Sequence, residues 1–114
     1  MSSRLTSDFW VSAYVRRCHL EGGFALVRRR GAKEAGAIFL VIDRLDGGND
    51  LYAPAPQSEA EDTRGRSFER VLEAVDGLTI EERLARELRF DSDIWIVAVE
   101  DRQGRAFLDL APGS

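Results

Sequence analysis

Two stretches of the chain carry apolar residues at helical spacing, and most of the remaining apolar residues fall in short runs. Val11, Tyr14, Val15 and Cys18 recur every three to four positions, with Phe9 and Trp10 near the start. Arg16 and Arg17 fall toward the other side of that helix. Thr6 or Ser7 can cap it, Asp8 suits the positive end of the helix dipole, and Gly22-Gly23 ends it. In the second stretch Ile80, Leu84 and Leu88, with Ala85, form one apolar stripe. Thr79-Ile80-Glu81-Glu82 reads as its capping box, Thr79 bonding the third helical amide and Glu82 reaching back. Glu82–Arg86 and Arg83–Glu87 are opposite charges one turn apart on the wet side.

The other runs read as strands. "FALVRRR" (24–30) and "AIFLVIDRL" (37–45), split by the glycine-bounded "GAKEAG", have the pattern of a β-hairpin. "DGGND" (46–50) is a second turn, "LYA" (51–53) a brief third strand, and Pro54 and Pro56 stop regular structure. The polar stretch 57–66 reads as a mobile loop inside the domain. In 67–75, Phe68, Val71, Leu72 and Val75 match a helix, but the length and the following "DGLT" suit a strand, which we prefer. "IWIVAVE" (94–100) is apolar on both faces and reads as an interior strand. "DRQGR" turns the chain, and "AFLDL" (106–110) can add a short edge strand. The sum is an α+β fold: a mainly antiparallel sheet of about four to six strands with two helices packed on it.

A chain of 114 residues fits one domain, 1–114, with the tail after 104 loosely held. Apolar residues at 44% and charged residues at 32% are ordinary for a globular domain. No window approaches the about 18 apolar residues of a membrane span, so no membrane partner is expected. No secretory signal is visible at the start. The single cysteine, Cys18, cannot form an internal disulfide and fits a reducing cytoplasm. The net charge of −4 is uneven: residues 1–45 hold eight Lys/Arg against four Asp/Glu, and residues 46–114 hold eight against sixteen. A basic first half can attract anions, or it can be neutralised by an acidic second half beside it.

Gly31 and Gly36 have the spacing of the first half of a phosphate-binding loop, but Ala37-Ile38 stands where Lys-Ser/Thr belongs. The loop also precedes a strand, whereas a phosphate loop opens a helix. A hairpin tip explains it better, the glycines relieving the backbone where the chain reverses. Arg28, Arg29 and Arg30 read first as a solvated strand end or as partners of neighbouring acids, Asp43 included. With Arg16, Arg17 and Lys33 they are the candidates for an anion or nucleic-acid contact. Aromatic residues for base stacking are few, since Phe24 and Phe39 fall in core-like strands.

Cys18-His19 cannot form a catalytic pair, because adjacent helical residues point about 100° apart. One Cys and one His also fall short of a zinc site. Asp91-x-Asp93 starts like a calcium loop and fails at Ile94-Trp95-Ile96. Asp91, Asp93, Glu100 and Asp101 could form a carboxylate cluster for a general base or a divalent ion; acids at a solvated sheet edge are the ordinary alternative. Trp10 at a helix rim with Tyr52 would make a protein-interaction anchor, with core filling the commoner role for such residues. No catalytic residue, cofactor or bound metal is indicated.

"SDFWVSAYVRRC", "RRRGAKEAGAIFL", "LYAPAPQ" and "ARELRFDSDIWIVAVEDR" together resemble the alphaproteobacterial family known as domain of unknown function 1491, from Asp8 to Arg102. The resemblance implies a small stand-alone bacterial cytoplasmic protein and favours the strand at 67–75. It implies no activity, cofactor or functional residue, and the tail beyond Gly104 is less family-like. The expectation is therefore an accessory or protein-interaction domain, self-associating as a homodimer or binding a protein partner. An RNA- or anion-binding module is the second reading, and a carboxylate-based or metal-dependent enzyme the third.

Overall fold

The run 94–100 decides the topology, because it slots between the two strands expected to form a hairpin. In the computed structural model, which describes residues 5–55 and 65–108, the elements follow as α1 (Ser7–Leu20), β1 (Phe24–Arg29), β2 (Ile38–Asp43), β3 (Asn49–Pro54), β4 (Phe68–Val75), α2 (Gly77–Phe90) and β5 (Trp95–Glu100). The sheet order is β1-β5-β2-β3-β4. β1 and β2 are thus not a hairpin. Each pairs with β5, β1 antiparallel and β2 parallel. The sheet is mixed but mostly antiparallel, and the fold is α+β. The 46–50 turn does join a hairpin, β2–β3, and 68–75 is a strand.

Strand alternation splits the core into two layers. Ile38, Leu40 and Ile42 of β2 and Trp95, Val97 and Val99 of β5 meet Trp10, Val11, Tyr14 and Cys18 of α1. Phe39 and Val41, with Ile94 and Ile96, meet Ile80 and Leu84 of α2. The helices therefore lie on opposite faces of the sheet. Helix α1 ends at Gly22-Gly23, whose amides return to the carbonyls of His19 and Cys18. The cap of helix α2 lies three residues before the expected one. Asp76 is its cap and accepts the Thr79 amide at 2.8 Å. An Asp-x-x-Thr cap lies directly upstream of Thr-x-x-Glu, and the earlier one wins.

The segment 31–36 crosses the start of β5 on its way from β1 to β2. Its glycines serve close approach rather than chain reversal. A Cβ on Gly31 would stand 2.2 Å from the Asp93 carbonyl oxygen, and one on Gly36 2.5 Å from the same atom. The crossing segment also receives α1. Lys33 and Glu34 carbonyls accept the Asp8 and Ser7 amides, and the Ser7 hydroxyl donates to the Gly36 carbonyl. The expected loop 57–66 lies largely outside the described residues. Its end does not behave as a mobile loop: Arg66 is buried, its Nη2 donating to the Leu5 carbonyl and the Ser7 hydroxyl. Residues 105–108 form no edge strand. Phe107 instead closes the α1-side core, and the Ala106 carbonyl accepts the Tyr14 hydroxyl at 2.6 Å. Residues 109–114 lie outside the described residues.

Candidate functional site

The arginine run has partners within the fold. Arg28 forms an ion pair with Glu81 of α2. Arg29 Nη1 donates to the Ile94 carbonyl at 2.9 Å, tying β1 to the start of β5. The Arg30 guanidinium lies 5.1 Å over the Trp95 ring, whose Nε1 donates to the Ala32 carbonyl. Asp43, proposed as a partner for these arginines, instead accepts the Leu45 amide. Lys33 stands by the first turn of α1 and adds to the depression of the Asp8 pKa, which the Thr6 hydroxyl chiefly causes. Arg17 pairs with Glu21 one turn on, and Arg16 is exposed on the same helix. At 1.5 Å per residue, Arg16 and Arg17 lie about 13 Å along α1 from Asp8 and Lys33. The six cations therefore do not converge on one concave patch.

The four carboxylates are separated by the strand between them. Asp91 and Asp93 precede β5, while Glu100 and Asp101 close it, about 20 Å apart for a six-residue strand. Asp91 accepts the Asp93 amide in the helix-to-strand turn. Asp101 is held by Arg105, through Nε at 3.0 Å and Nη2 at 2.8 Å. Arg105 keeps its carboxyl below the usual carboxylate range. Among the described residues no group of three His, Cys, Asp or Glu side chains could hold a metal ion.

Cys18 is fully buried in the α1-side core. Its neighbour His19 turns to the outer edge of β1. There Nε2 lies 2.9 Å from the Ala25 carbonyl and 3.1 Å from the Ala25 amide. One ring nitrogen can donate or accept according to tautomer, so His19 satisfies one of these outward groups at a time. With the bulge between Val27 and Arg29, this blunts an edge that another strand could otherwise extend. Trp10 is not at a rim: it is 0% exposed and stacks on Tyr14 at 4.9 Å. Tyr52 is half-buried against the same core. The two do not form a surface anchor.

An open surface remains on the other side of the sheet. Helix α2 lies over β3 and β4 and reaches β2 and the start of β5. It leaves the β1 side uncovered. Phe24 and Leu26, which alternate with the core residues Ala25 and Val27, are 51% and 45% exposed. Register sets Phe24 beside Glu100 and Leu26 beside Ala98. A groove of ≈ 200 Å³ runs between this strip and α2, with Val41 and Ala98 in its lining and Arg28–Glu81 across one end. Leu78 on α2 is a further exposed apolar residue. Sequence reasoning placed Phe24 in the core. The signal it passed over is the strict alternation Phe24-x-Leu26-x-Arg28, one face of a strand whose other face is already apolar.

Comparison with known proteins returns structures and a family but no activity. The family model described as "Protein of unknown function (DUF1491)" matches residues 5–109. A solution structure of an A. tumefaciens protein is 44% identical, covers 97% of this chain and 98% of its own, and superposes with TM-score 0.82. A crystal structure of a DUF1491 family protein from Caulobacter crescentus CB15 is 35% identical, covering 91% of this chain and 92% of that one, with TM-score 0.76. An NMR structure of a DUF1491 family protein from the same organism is 34% identical, covering 96% of each chain, with TM-score 0.76. No curated protein matches the chain.

Proposed function

The chain belongs to the DUF1491 family, and we propose that it is a non-enzymatic protein-interaction domain of the bacterial cytoplasm that docks through the half-covered face of its sheet. The observation that carries this reading is the strip of Phe24 and Leu26, two large apolar side chains about half exposed on the edge strand β1. Contiguous apolar surface beside a groove, bordered by charged residues, is the usual mark of a protein contact. The separation of Asp91 and Asp93 from Glu100 and Asp101, and the burial of Cys18, support this reading over a carboxylate- or thiol-based enzyme among the described residues. The lone thiol fits a reducing compartment. Among the described residues no helix is long and apolar enough to cross a membrane.

A photo-crosslinking residue placed at Leu26 in cells tests the reading, with the same residue at Glu82, on the exposed side of α2, as control. Position 26 is expected to give a discrete crosslinked polypeptide that position 82 does not. Equal labelling from both positions, or none from Leu26, would sink it.

A further inference from the structure

The uncovered strip is self-complementary in its order of charged and apolar residues. Along the α2 side of β1 and β5 the neighbours run Phe24 with Glu100, then Leu26 with Ala98, then Arg28. Glu100, level with Phe24, lies about 7 Å to one side of Leu26 at about 3.4 Å per residue, and Arg28, at the bulge, stands on the other side. One end is therefore acidic, the centre apolar and the other end basic. A two-fold axis through Leu26 turns this sequence onto its own complement. Leu26 meets Leu26 of a second copy, and each Arg28 reaches the Glu100 and the Phe24 ring of the other. Such an isologous contact requires residue i to meet j while j meets i. Arg28 already pairs with Glu81, but a guanidinium carries five donors and can bridge a second carboxylate. The β1 edge itself is blunted by His19 and the bulge, so the copies meet face to face rather than by strand addition.

Resting on the docking face proposed above, we infer that its occupant is a second copy of this chain, bound about a two-fold axis through Leu26 with Arg28 of each copy against Glu100 of the other. Sedimentation equilibrium on the untagged full chain at low salt, from micromolar to about 1 mM, tests it. The mass is expected to rise from 12.8 kDa toward twice that value. Leu26→Asp should weaken association at least tenfold, and Arg28→Glu and Glu100→Arg singly about as much. The double reversal Arg28→Glu with Glu100→Arg should restore it. These positions are exposed, and a cooperative melting transition at micromolar concentration, where the wild type is monomeric too, would show that each variant is folded. A wild-type chain that stays monomeric throughout overturns the inference, as does a dimer indifferent to Leu26→Asp or a double reversal that restores nothing. Failure here differs from failure of the docking face. A monomer that still crosslinks another polypeptide through position 26 loses only the second copy, whereas a monomer that crosslinks nothing loses both.

Discussion

On the α1 side of the sheet, Trp10, Tyr14 and Trp95 are sealed beneath one helix, and Phe107 folds over to complete the cover. On the α2 side a helix of the same 14 residues seals Phe39, Val41 and Ile96, but the cover stops before β1. The two helices carry different side chains. Helix α1 presents two large aromatic rings and is joined by a plug from beyond β5. Helix α2 presents only Ile80, Leu84 and Leu88, which span less of the sheet. A helix about 10 Å across covers roughly two strands at 4.8 Å spacing, so five strands need more than one such helix per face. Among the described residues one face has the extra cover and the other has none. The half-bare face is therefore a consequence of side-chain supply, and it is where a partner gains most by docking.

The sharpest way to break this comparison is to damage each face and weigh the results. Trp10→Ala removes a fully buried ring that stacks on Tyr14 and packs 5.2 Å from Phe68. It is expected to cost about 3–5 kcal/mol by urea unfolding. Leu26→Asp on the bare face should leave the unfolding midpoint nearly unchanged, as surface substitutions do. Similar losses from both would mean that the two faces are closed alike. Next in size is Gly31→Ala, which pushes a methyl group into the Asp93 carbonyl at the crossing point shared by both faces. A loss of about 1–3 kcal/mol is expected, since backbone on backbone has little room to yield. A neutral result would show that the crossing is loose. The smallest effect concerns Asp101, at the end of β5. Its folded pKa is lowered by Arg105, so the unfolded chain binds the proton more tightly. That contribution is complete above the unfolded value of about 3.9 and is lost as pH falls through the lower folded value. Asp101→Asn should therefore flatten the acid side of a plot of stability against pH below about 4, while stability above it drops modestly. Parallel curves for the two proteins would remove Asp101 from the acid response.

The sequence carried most of the elements and less of their partnerships. Helix α1, the β2–β3 turn and the interior character of 94–100 follow from spacing and turn residues, which act locally. The supposed β1–β2 hairpin failed because β5, more than 50 residues downstream of Arg30, competes for both strands. No local signal reports that competition. Core filling is the preferred role for Trp10 and the one it takes; the rim alternative rests on its lying one position ahead of the apolar stripe. Phe68 and Tyr14 draw it inward. The arginine run reads as pairing with Asp43 or with the acidic second half, and Arg28 finds its partner in that second half, at Glu81, rather than at Asp43. Glu81, the Ile94 carbonyl and the Trp95 ring come from α2 and β5, which are remote in the chain. Of the candidate docking face, only the alternation in 24–28 was readable. Its exposure depends on how far α2 reaches, a tertiary matter.

The sheet order also has a bearing on synthesis. Among the described residues, β1 pairs only with β5, the last strand to leave the ribosome. Through the making of the next 65 residues the first strand waits with both of its edges unpaired, while β2 and β3 can already close their hairpin. Joining β1 to β5 closes a long loop, a step that is slow by nature because chain entropy is lost before contacts repay it. His19 travels on the helix just ahead of β1 and can occupy the Ala25 edge from the start. That contact takes up backbone groups that a second nascent chain would need for pairing with β1.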